Sequence, residues 1–336
     1  MNLQIIRSTD HDALSCRYSI ASKQYIKDPY ISNIVQGFQK FLKFDNKSPR
    51  RVLSSLVKTK FPVINRGTYI RIKSIDIIIE NFLEKFNGRD VRIINLGAGS
   101  DTRSFSLAKQ HNNLDIIEVD FPDSIKFKKA IILDDKELAE SLDIPFHQHS
   151  NLDEFYKELS NEGILASRYQ LLPFDLRNST DFGEFLRKLP EKPTLILSEC
   201  MLCYLSSDEA DKLLLAIHRN ISQGVFVVYD PLGGDDSFGN VMIDNLKMRN
   251  LSLDTLLKYN TLEKYQERFR NIGFQYVKID NLFNILNNWL APEDLKRIAR
   301  LEFLDEIEEL KLLLEHYCLC LSHWGLEFET NLIFQL

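Results

Sequence analysis

Short apolar runs bounded by polar or glycine residues recur along the chain from Val91 onward, and most are separated by stretches of helical periodicity. This pattern is typical of β-strands that alternate with helices. It predicts a doubly wound α/β fold, mainly parallel, with ligands bound at the carboxyl ends of the strands. Seven strands are predicted: VRIINL, LDIIEVD, RYQLLPFD, TLILSE, GVFVVYD, FQYVKID and the terminal ETNLIFQL.

Residues 1–88 lack this rhythm and show helical periodicity instead, which ends at Gly88. Glycine commonly terminates helices. We therefore predict a helical N-terminal segment, which could act as a lid, over residues 1–88 and a core over 89–336. The core is predicted to contain two helical inserts and, before its last strand, a further helical stretch, at about 122–168, 235–270 and 289–324.

Composition and charge narrow the class of protein. The 336 residues are 44% hydrophobic and 27% charged, enough for a sizeable core. A net charge of -6 argues against a dedicated nucleic-acid binder, and the basic run at residues 40–60 is interpreted as a solvated loop. The N-terminus carries no secretory signal and the apolar runs are too short to span a bilayer, so we expect a cytoplasmic protein without a membrane segment.

A glycine-rich turn, NLGAGSDTR, follows the first predicted strand. Gly97 and Gly99 would let the backbone approach a nucleotide-type cofactor at a helix N-terminus, although glycines that only shape a tight turn remain an alternative. Thr102 replaces the third glycine of a dinucleotide fingerprint. Asp101 would repel a pyrophosphate but suits a methylsulfonium ligand that carries an ammonium group. Asp120, which ends the next strand, could accept hydrogen bonds from ribose hydroxyls.

Two further predicted strands also end in polar residues. PFDLR places Asp175 to accept from an exocyclic amine, Leu176 to pack on a flat ring and Arg177 to project beyond it. SECMLCYL places Glu199 near the rim and Tyr204 a few residues later. Each residue alone could be a rim charge or a helix cap, but together they are predicted to surround one crevice.

Seven motifs carry a family resemblance: NRGTYIR, NLGAGSDTR, EVDFP, DLR, SECMLCYL, GDDSFGNVMIDNL, and LEFLDE followed by HYCLCLS. In order and spacing they resemble the leucine carboxyl methyltransferases over nearly the whole chain. The resemblance implies a Rossmann-like, S-adenosylmethionine-dependent methyltransferase. It also implies a protein substrate, the type 2A protein phosphatase catalytic subunit, whose C-terminal leucine carboxylate becomes a methyl ester that regulates holoenzyme assembly. A monomer without nucleic acid, membrane or metal is expected.

The resemblance further implies a set of cofactor-binding residues. The set comprises Arg71 and Arg17 for the methionyl carboxylate, Gly97 for the methionyl backbone, Asp120 for the ribose, Asp175 and Leu176 for adenine, and Glu199 for the ammonium group. Arg17 stands where relatives often have lysine.

Arg177 and Tyr204 match the family positions associated with the leucine carboxylate, so the resemblance implies that they are the catalytic residues. An α-carboxyl group has a pKa of about 3.5 and is ionised at neutral pH, so it needs no general base. The protein must instead position the carboxylate and exclude water. Asp230, in VVYDPLGG, is left without a role.

Two other functions remain open from the residues. One is methyl esterification of a different carboxyl group, on a modified tRNA base or a small metabolite, which the basic run at 40–60 keeps possible. The other is a non-catalytic phosphatase binder that senses the cofactor.

Cysteine and histidine clusters also raise the possibility of a zinc site. We interpret these cysteines as buried packing residues, with the second set on an apolar helix. The clusters are Cys200 with Cys203, and His316, Cys318, Cys320 and His323.

Overall fold

A computed structural model describes residues 3–45, 49–233, 236–249, 251 and 253–326. The chain divides into two compact units. The first unit comprises Arg7–Lys60 and Arg92–Asp175, and the second comprises Met1–Ile6, Phe61–Val91 and Leu176–Leu336.

Helices and strands alternate through most of the chain. The helices are α1 (Leu3–Ser22), α2 (Ile31–Asp45), α3 (Pro49–Leu56), α4 (Pro62–Lys85), α5 (Arg103–Gln110), α6 (Pro122–Asp134), α7 (Lys136–Ser141), α8 (Leu152–Glu158), α9 (Ser179–Lys188), α10 (Ser207–Asn220), α11 (Ser237–Met248), α12 (Asp254–Lys258), α13 (Leu262–Ile272), α14 (Leu282–Asn288), α15 (Pro292–Ala299) and α16 (Ile307–Glu315). The strands are β1 (Val91–Leu96), β2 (Leu114–Asp120), β3 (Ile164–Leu165), β4 (Tyr169–Pro173), β5 (Thr194–Glu199), β6 (Gly224–Pro231), β7 (Tyr276–Asn281) and β8 (Tyr317–Trp324).

In the first unit the strands lie in the order β3-β4-β2-β1. β2 and β4 are parallel, with Ile116 opposite Tyr169, while the two-residue β3 is antiparallel to β4. Every residue of β1 is buried, as expected for a strand covered on both faces. The carboxyl ends of β1, β2 and β4 therefore point in one direction, which is the arrangement that brings strand-end residues together.

In the second unit the order is β5-β6-β8-β7. β5 and β6 are parallel and are connected through α10. β8 lies antiparallel between β6 and β7. β6 is buried along its whole length, so this half of the fold also has a strand at the centre of its core.

The predicted α/β class with mostly parallel strands is confirmed, and six of the seven predicted strands are present as β1, β2, β4, β5, β6 and β7. The seventh, ETNLIFQL, lies outside the described residues. Within those residues there are eight strands where six were predicted, because β3 and β8 were not predicted. The prediction of helix through residue 324 is wrong over β8. YCLCLSHW is an almost continuous apolar run buried on both faces, so its period of two is hidden.

The N-terminal segment is helical, with α1 to α4. The predicted inserts also contain helices, α6 to α8 in the first and α11 to α13 in the second. The functional division into residues 1–88 and 89–336, with a lid, stays a prediction. Among the described helices, none combines the length and the apolar character needed to cross a bilayer.

Candidate active site

The glycine turn of the first unit is fastened to the neighbouring strand. The backbone N–H groups of Gly97 and Ala98 donate to the carbonyl oxygen of Val119, at 2.9 and 3.1 Å. Gly97 has φ 67° and Gly99 has φ 43°, both in the left-handed region that favours glycine. A Cβ on Gly99 would also collide with the carboxylate of Asp10. Both glycines are therefore required by the local geometry.

Asp120 lies beside this turn, as the sequence predicts. Its Oδ2 accepts from the Gly99 N–H at 2.8 Å and its Oδ1 accepts from the Phe121 N–H at 2.7 Å. Burial raises the pKa of Asp120 above its ordinary value, and the two backbone donors oppose that shift. Each carboxylate oxygen keeps a further lone pair, so Asp120 can accept additional hydroxyl donors.

Asp101 has a different environment from the one that the sequence suggests. Its carboxylate accepts from Arg103 Nη1 at 2.8 Å and from Asn95 Nδ2 at 3.0 Å, and Arg17 Nη1 lies 3.7 Å away. Burial opposes its charge, but Arg103 and Arg17 outweigh burial and hold the pKa of Asp101 well below its usual range. Asp101 is thus an anchor of the turn, and its charge is already compensated within the protein.

Arg17 reaches the same turn from α1. Its Nε donates to Asp28 Oδ2 at 2.7 Å, and the same oxygen accepts from Thr102 Oγ1 at 2.5 Å. The structure therefore brings Arg17, the glycine turn and Asp120 together in the first unit. The role of Arg17 toward a cofactor carboxylate stays a prediction.

Asp10 is a residue of this turn that the sequence analysis missed. Its Oδ1 accepts from the Ser100 N–H at 2.8 Å and its Oδ2 accepts from the Ser100 hydroxyl at 2.6 Å. A cavity of about 20 Å³, the size of one water molecule, lies beside it and is lined by Gly99, Ser100 and Lys128 among others. The one available signal is general: N–H groups at a helix N-terminus need an acceptor, but the sequence does not identify it.

The end of β4 lies beside the end of β2. The Phe174 N–H donates to the carbonyl oxygen of Asp120 at 2.8 Å, and Asp175 comes next, half-buried. In the second unit, Leu176 is buried and Arg177 is exposed. These environments suit a polar recognition residue, an apolar packing residue and a guanidinium open to a ligand, respectively.

In the second unit, Arg71 and Glu199 form an ion pair. Arg71 Nε, on α4, donates to Glu199 Oε1 at the end of β5, and both side chains are mostly buried. The Arg71 guanidinium also lies 5.3 Å from the centre of the Tyr229 ring. Burial opposes the charge on Arg71, but the Glu199 carboxylate outweighs burial and raises the pKa of Arg71 above its ordinary value. Arg71 and Glu199, which were predicted to bind different groups of the cofactor, therefore form an ion pair with each other in this structure.

Tyr204 is held by a sharp turn after β5. Cys200 has φ 52°, a costly conformation for a non-glycine residue, and its N–H donates to the Tyr229 carbonyl oxygen at 2.7 Å. A single 3₁₀ turn, Leu202–Tyr204, follows. Tyr204 packs against an apolar cluster that the sequence analysis did not identify, formed by Cys203, Leu253 and Leu256 with Met242, Ile243 and Leu246 of α11.

Asp230 is the penultimate residue of β6 and is almost completely buried. Its Oδ2 accepts from the Tyr265 hydroxyl at 2.9 Å, and burial raises its pKa to about 7. Asp230 pairs in register with Cys318 of β8, so its position depends on the strand that was predicted as helix.

Replacing Asp230 with asparagine should remove one contribution to the pH dependence of stability. The pKa of about 7 in the folded state exceeds the ordinary value of 3.8, so this contribution is present below pH 3.8 and is lost as the pH rises toward 7. We expect wild-type stability to fall more than that of Asp230→Asn between about pH 4 and pH 7, measured by urea unfolding. Parallel profiles would contradict this, and Asp208→Asn, at an exposed site, is the control.

The cysteines are free thiols, and Cys203, Cys318 and Cys320 are buried. The placement of Cys318 and Cys320 on a helix is wrong, since they lie on β8, where residues two apart share a face. Over the described ranges, no group of three or more His, Cys, Asp or Glu side chains is arranged to hold a metal ion.

The basic run at residues 40–60 is largely helical and not a loop, because α2 extends to Asp45 and α3 covers Pro49–Leu56. Its charge is partly neutralised by the first unit itself. Lys40 Nζ lies 2.8 Å from Asp134 Oδ2 and Lys43 Nζ lies 2.7 Å from Asp153 Oδ1. These two charges are therefore compensated by α6 and α8.

Comparison with known proteins gives a consistent result. Residues 5–218 match the family model described as leucine carboxyl methyltransferase. The chain is 39% identical to leucine carboxyl methyltransferase 1 of Yarrowia lipolytica, over 95% of this chain and 97% of the relative. It is 36% identical to the protein of that name from Schizosaccharomyces pombe, over 94% and 93% of the two chains. A solved structure of a putative methyltransferase from Thermobifida fusca shares the fold, with a TM-score of 0.51 at 11% identity over 87% and 94%. The chain belongs to the leucine carboxyl methyltransferase family.

Proposed function

We propose that this protein is a carboxyl O-methyltransferase that methylates the C-terminal leucine carboxylate of the type 2A protein phosphatase catalytic subunit and thereby regulates holoenzyme assembly. The observation that carries the proposal is similarity over nearly the full chain to proteins named leucine carboxyl methyltransferase 1. The choice of substrate rests on what the family resemblance of the quoted motifs implies. The proposal includes action in the cytoplasm as a monomer.

The cofactor is S-adenosylmethionine, which supplies an electrophilic methyl group on a sulfonium. The donor set of the chain fits its parts. Its methionyl group carries both a carboxylate and an ammonium group. Arg71 can therefore bind the carboxylate and Glu199 the ammonium, in place of the ion pair that the two residues form with each other. Asp120, with acceptor capacity left on both oxygens, is assigned to the ribose hydroxyls. Asp175 and Leu176 are assigned to adenine, one as acceptor and one as packing surface.

Arg177 and Tyr204 are assigned to the substrate carboxylate. The planar guanidinium of Arg177 can orient a carboxylate with two parallel hydrogen bonds. Tyr204 can donate to one carboxylate oxygen, which leaves a lone pair of the other oxygen free to attack the methyl carbon. The turn that holds Tyr204 against its apolar cluster limits the rotation of the ring. The residues thus contribute by positioning an already ionised nucleophile.

A methyl acceptor on tRNA is less well supported than a protein. The net charge is -6, and Lys40 and Lys43 are engaged by acidic partners. The other basic side chains leave the protein with a negative net charge, whereas nucleic-acid binding depends on positive charges that neutralise phosphates.

The test is incubation with methyl-labelled S-adenosylmethionine and the purified phosphatase catalytic subunit, either native or lacking its terminal leucine. We expect label on the native subunit, none on the truncated one, and release of the label by mild base, as for an ester. Absence of label on both subunits would reject the proposal. Base-labile label on tRNA in a parallel reaction would favour the alternative acceptor.

Replacing Asp120 with alanine should weaken cofactor binding by about tenfold or more, because hydrogen bonds to a charged acceptor are lost. Asp120→Asn should lose less, since one acceptor oxygen remains. Calorimetric titration with S-adenosylmethionine measures the effect, with Asp123→Ala at an exposed position as control. Unchanged affinity in Asp120→Ala would remove this residue from the cofactor site.

A further inference from the structure

Three large apolar side chains of the second unit are exposed. Phe61 is 78% exposed, Phe303 82% and Ile307 59%. We call these three residues the phenylalanine patch. Clustered exposed aromatic side chains are unusual on a protein surface and commonly mark a binding site.

Hydrogen bonds hold the two parts of the patch next to each other. Asn65 Nδ2 donates to Glu302 Oε2 at 2.7 Å, and Arg66 Nη2 donates to the Glu302 carbonyl oxygen at 3.2 Å. Phe61 lies one helical turn before Asn65, since the Asn65 N–H donates to its carbonyl oxygen at 3.0 Å. Phe303 directly follows Glu302. The patch is therefore mounted on a braced backbone, which lowers the entropic cost of binding.

The part of the rim formed by residues 301–309 is strongly acidic, whereas Lys60 directly precedes Phe61. No basic residue occurs from residue 301 to residue 309, while four acidic side chains in that stretch are exposed: Asp305, Glu306, Glu308 and Glu309. Such a rim repels anionic membrane surfaces and nucleic acid. It complements a protein surface that surrounds an apolar area with lysine and arginine.

The patch is within reach of residues of the same unit that are assigned to the methionyl group of the cofactor. Phe61 and Arg71 are separated by ten positions along α4, a rise of about 15 Å. An extended carboxyl-terminal tail of about five residues spans that distance. A protein bound at the patch can therefore extend its own C-terminus toward Arg71 and Glu199.

We propose that the phenylalanine patch is a docking surface for the folded part of the protein substrate, which binds it through an apolar area rimmed by basic residues. The inference rests on the proposed function and adds a second recognition element to it. Recognition of the terminal residue then gives chemical specificity, and docking at the patch gives selectivity for one protein among many with the same C-terminal residue.

The experiment compares two substrates of the full-length enzyme: the intact phosphatase catalytic subunit and a synthetic peptide of about three of its last residues, too short to reach the patch. In Phe61→Ser/Phe303→Ser we expect KM for the intact subunit to rise about tenfold. We expect kcat, and both constants for the peptide, to stay unchanged. Leu165→Ser, at another 78% exposed apolar position, is the matched control and should behave as wild type.

The role of the acidic rim is tested by a separate measurement. Glu308→Gln/Glu309→Gln should raise KM for the intact subunit at low salt and flatten the dependence of KM on ionic strength, because rim charges act through screened long-range attraction. An unchanged salt dependence would overturn the choice of a basic partner surface.

Direct binding of each variant to the phosphatase subunit, measured by calorimetry, separates the two proposals. Weaker binding by Phe61→Ser/Phe303→Ser supports docking even if wild type transfers no methyl group, a result that would reject only the proposed function. Unchanged binding and KM overturn docking. Equal loss with the peptide also overturns docking, because the effect then lies at the reaction site. A lower melting temperature with unchanged KM would assign the patch to contacts within this chain and overturn docking.

Discussion

Arg177→Ala is expected to lower kcat by about 100-fold or more while the dissociation constant of S-adenosylmethionine stays unchanged. Arg177 is assigned to the carboxylate that attacks the methyl group, and it is exposed, four positions after the last residue of β4. Its loss removes both the orientation of the nucleophile and part of the compensation for desolvating it. None of these interactions involves the part of the site assigned to the cofactor.

Single-turnover methyl transfer and calorimetric titration with the cofactor measure the two quantities separately. Arg177→Lys should recover only part of kcat, because an ammonium lacks the planar fork of a guanidinium. Arg187→Ala, on the exposed surface of α9, is the control. Equal losses in kcat and cofactor affinity would show that Arg177 supports the fold of the site and does not act on the carboxylate.

Glu118→Ala is expected to lower the free energy of unfolding by about 3–5 kcal/mol. Glu118 is completely buried on β2, and its carboxylate lies 2.7 Å from Lys128 Nζ. It also accepts from the hydroxyls of Ser104 and Tyr169, at 2.5 and 2.7 Å. Removing the carboxylate leaves two buried hydroxyls without their acceptor. It also leaves the buried Lys128 ammonium with the Asp101 carbonyl oxygen, at 3.0 Å, but without the carboxylate paired with it. Both losses are more costly than the loss of a surface ion pair.

Urea unfolding of the wild type and the variant measures this effect. Glu140→Ala breaks an exposed pair with Lys136 and should cost at most about 1 kcal/mol. Glu118→Leu/Lys128→Met should recover much of the lost stability, because it removes both buried charges. A cost for Glu118→Ala no larger than that for Glu140→Ala would mean that Lys128 finds another partner.

The sequence predicts well those strands whose ends are marked by a change from apolar residues to glycine or a charged residue. β1 ends at Leu96, directly before Gly97, β2 ends at Asp120 and β5 ends at Glu199, so each apolar run has a visible limit. β8 lacks a comparable limit on its N-terminal side, because only His316 separates it from α16 and no glycine, proline or loop lies between the two elements. Without such a boundary, helix and strand are not distinguishable from periodicity alone.

In the candidate site, too, the sequence predicts some contacts and misses others. The proximity of Gly99 and Asp120 follows from neighbouring parallel strands and is predictable. Asp10 comes from a helix 90 positions earlier than Ser100, and the pairing of Arg71 with Glu199 joins residues 128 positions apart. No local pattern encodes such contacts, since they depend on how helices pack against strand ends. The sequence therefore identifies acceptors and donors more readily than it identifies their partners.

The ion pair of Arg71 and Glu199 has a consequence for selectivity among the adenosine compounds of a cell. Under the roles proposed for these residues, any ligand that enters must separate two charges that satisfy each other. A zwitterionic amino-acid group replaces both partners, whereas a nucleoside replaces neither and a triphosphate meets the carboxylate of Glu199. The pair thus acts as a filter that admits the methyl donor and disfavours adenosine and ATP, although all three carry the same base and ribose.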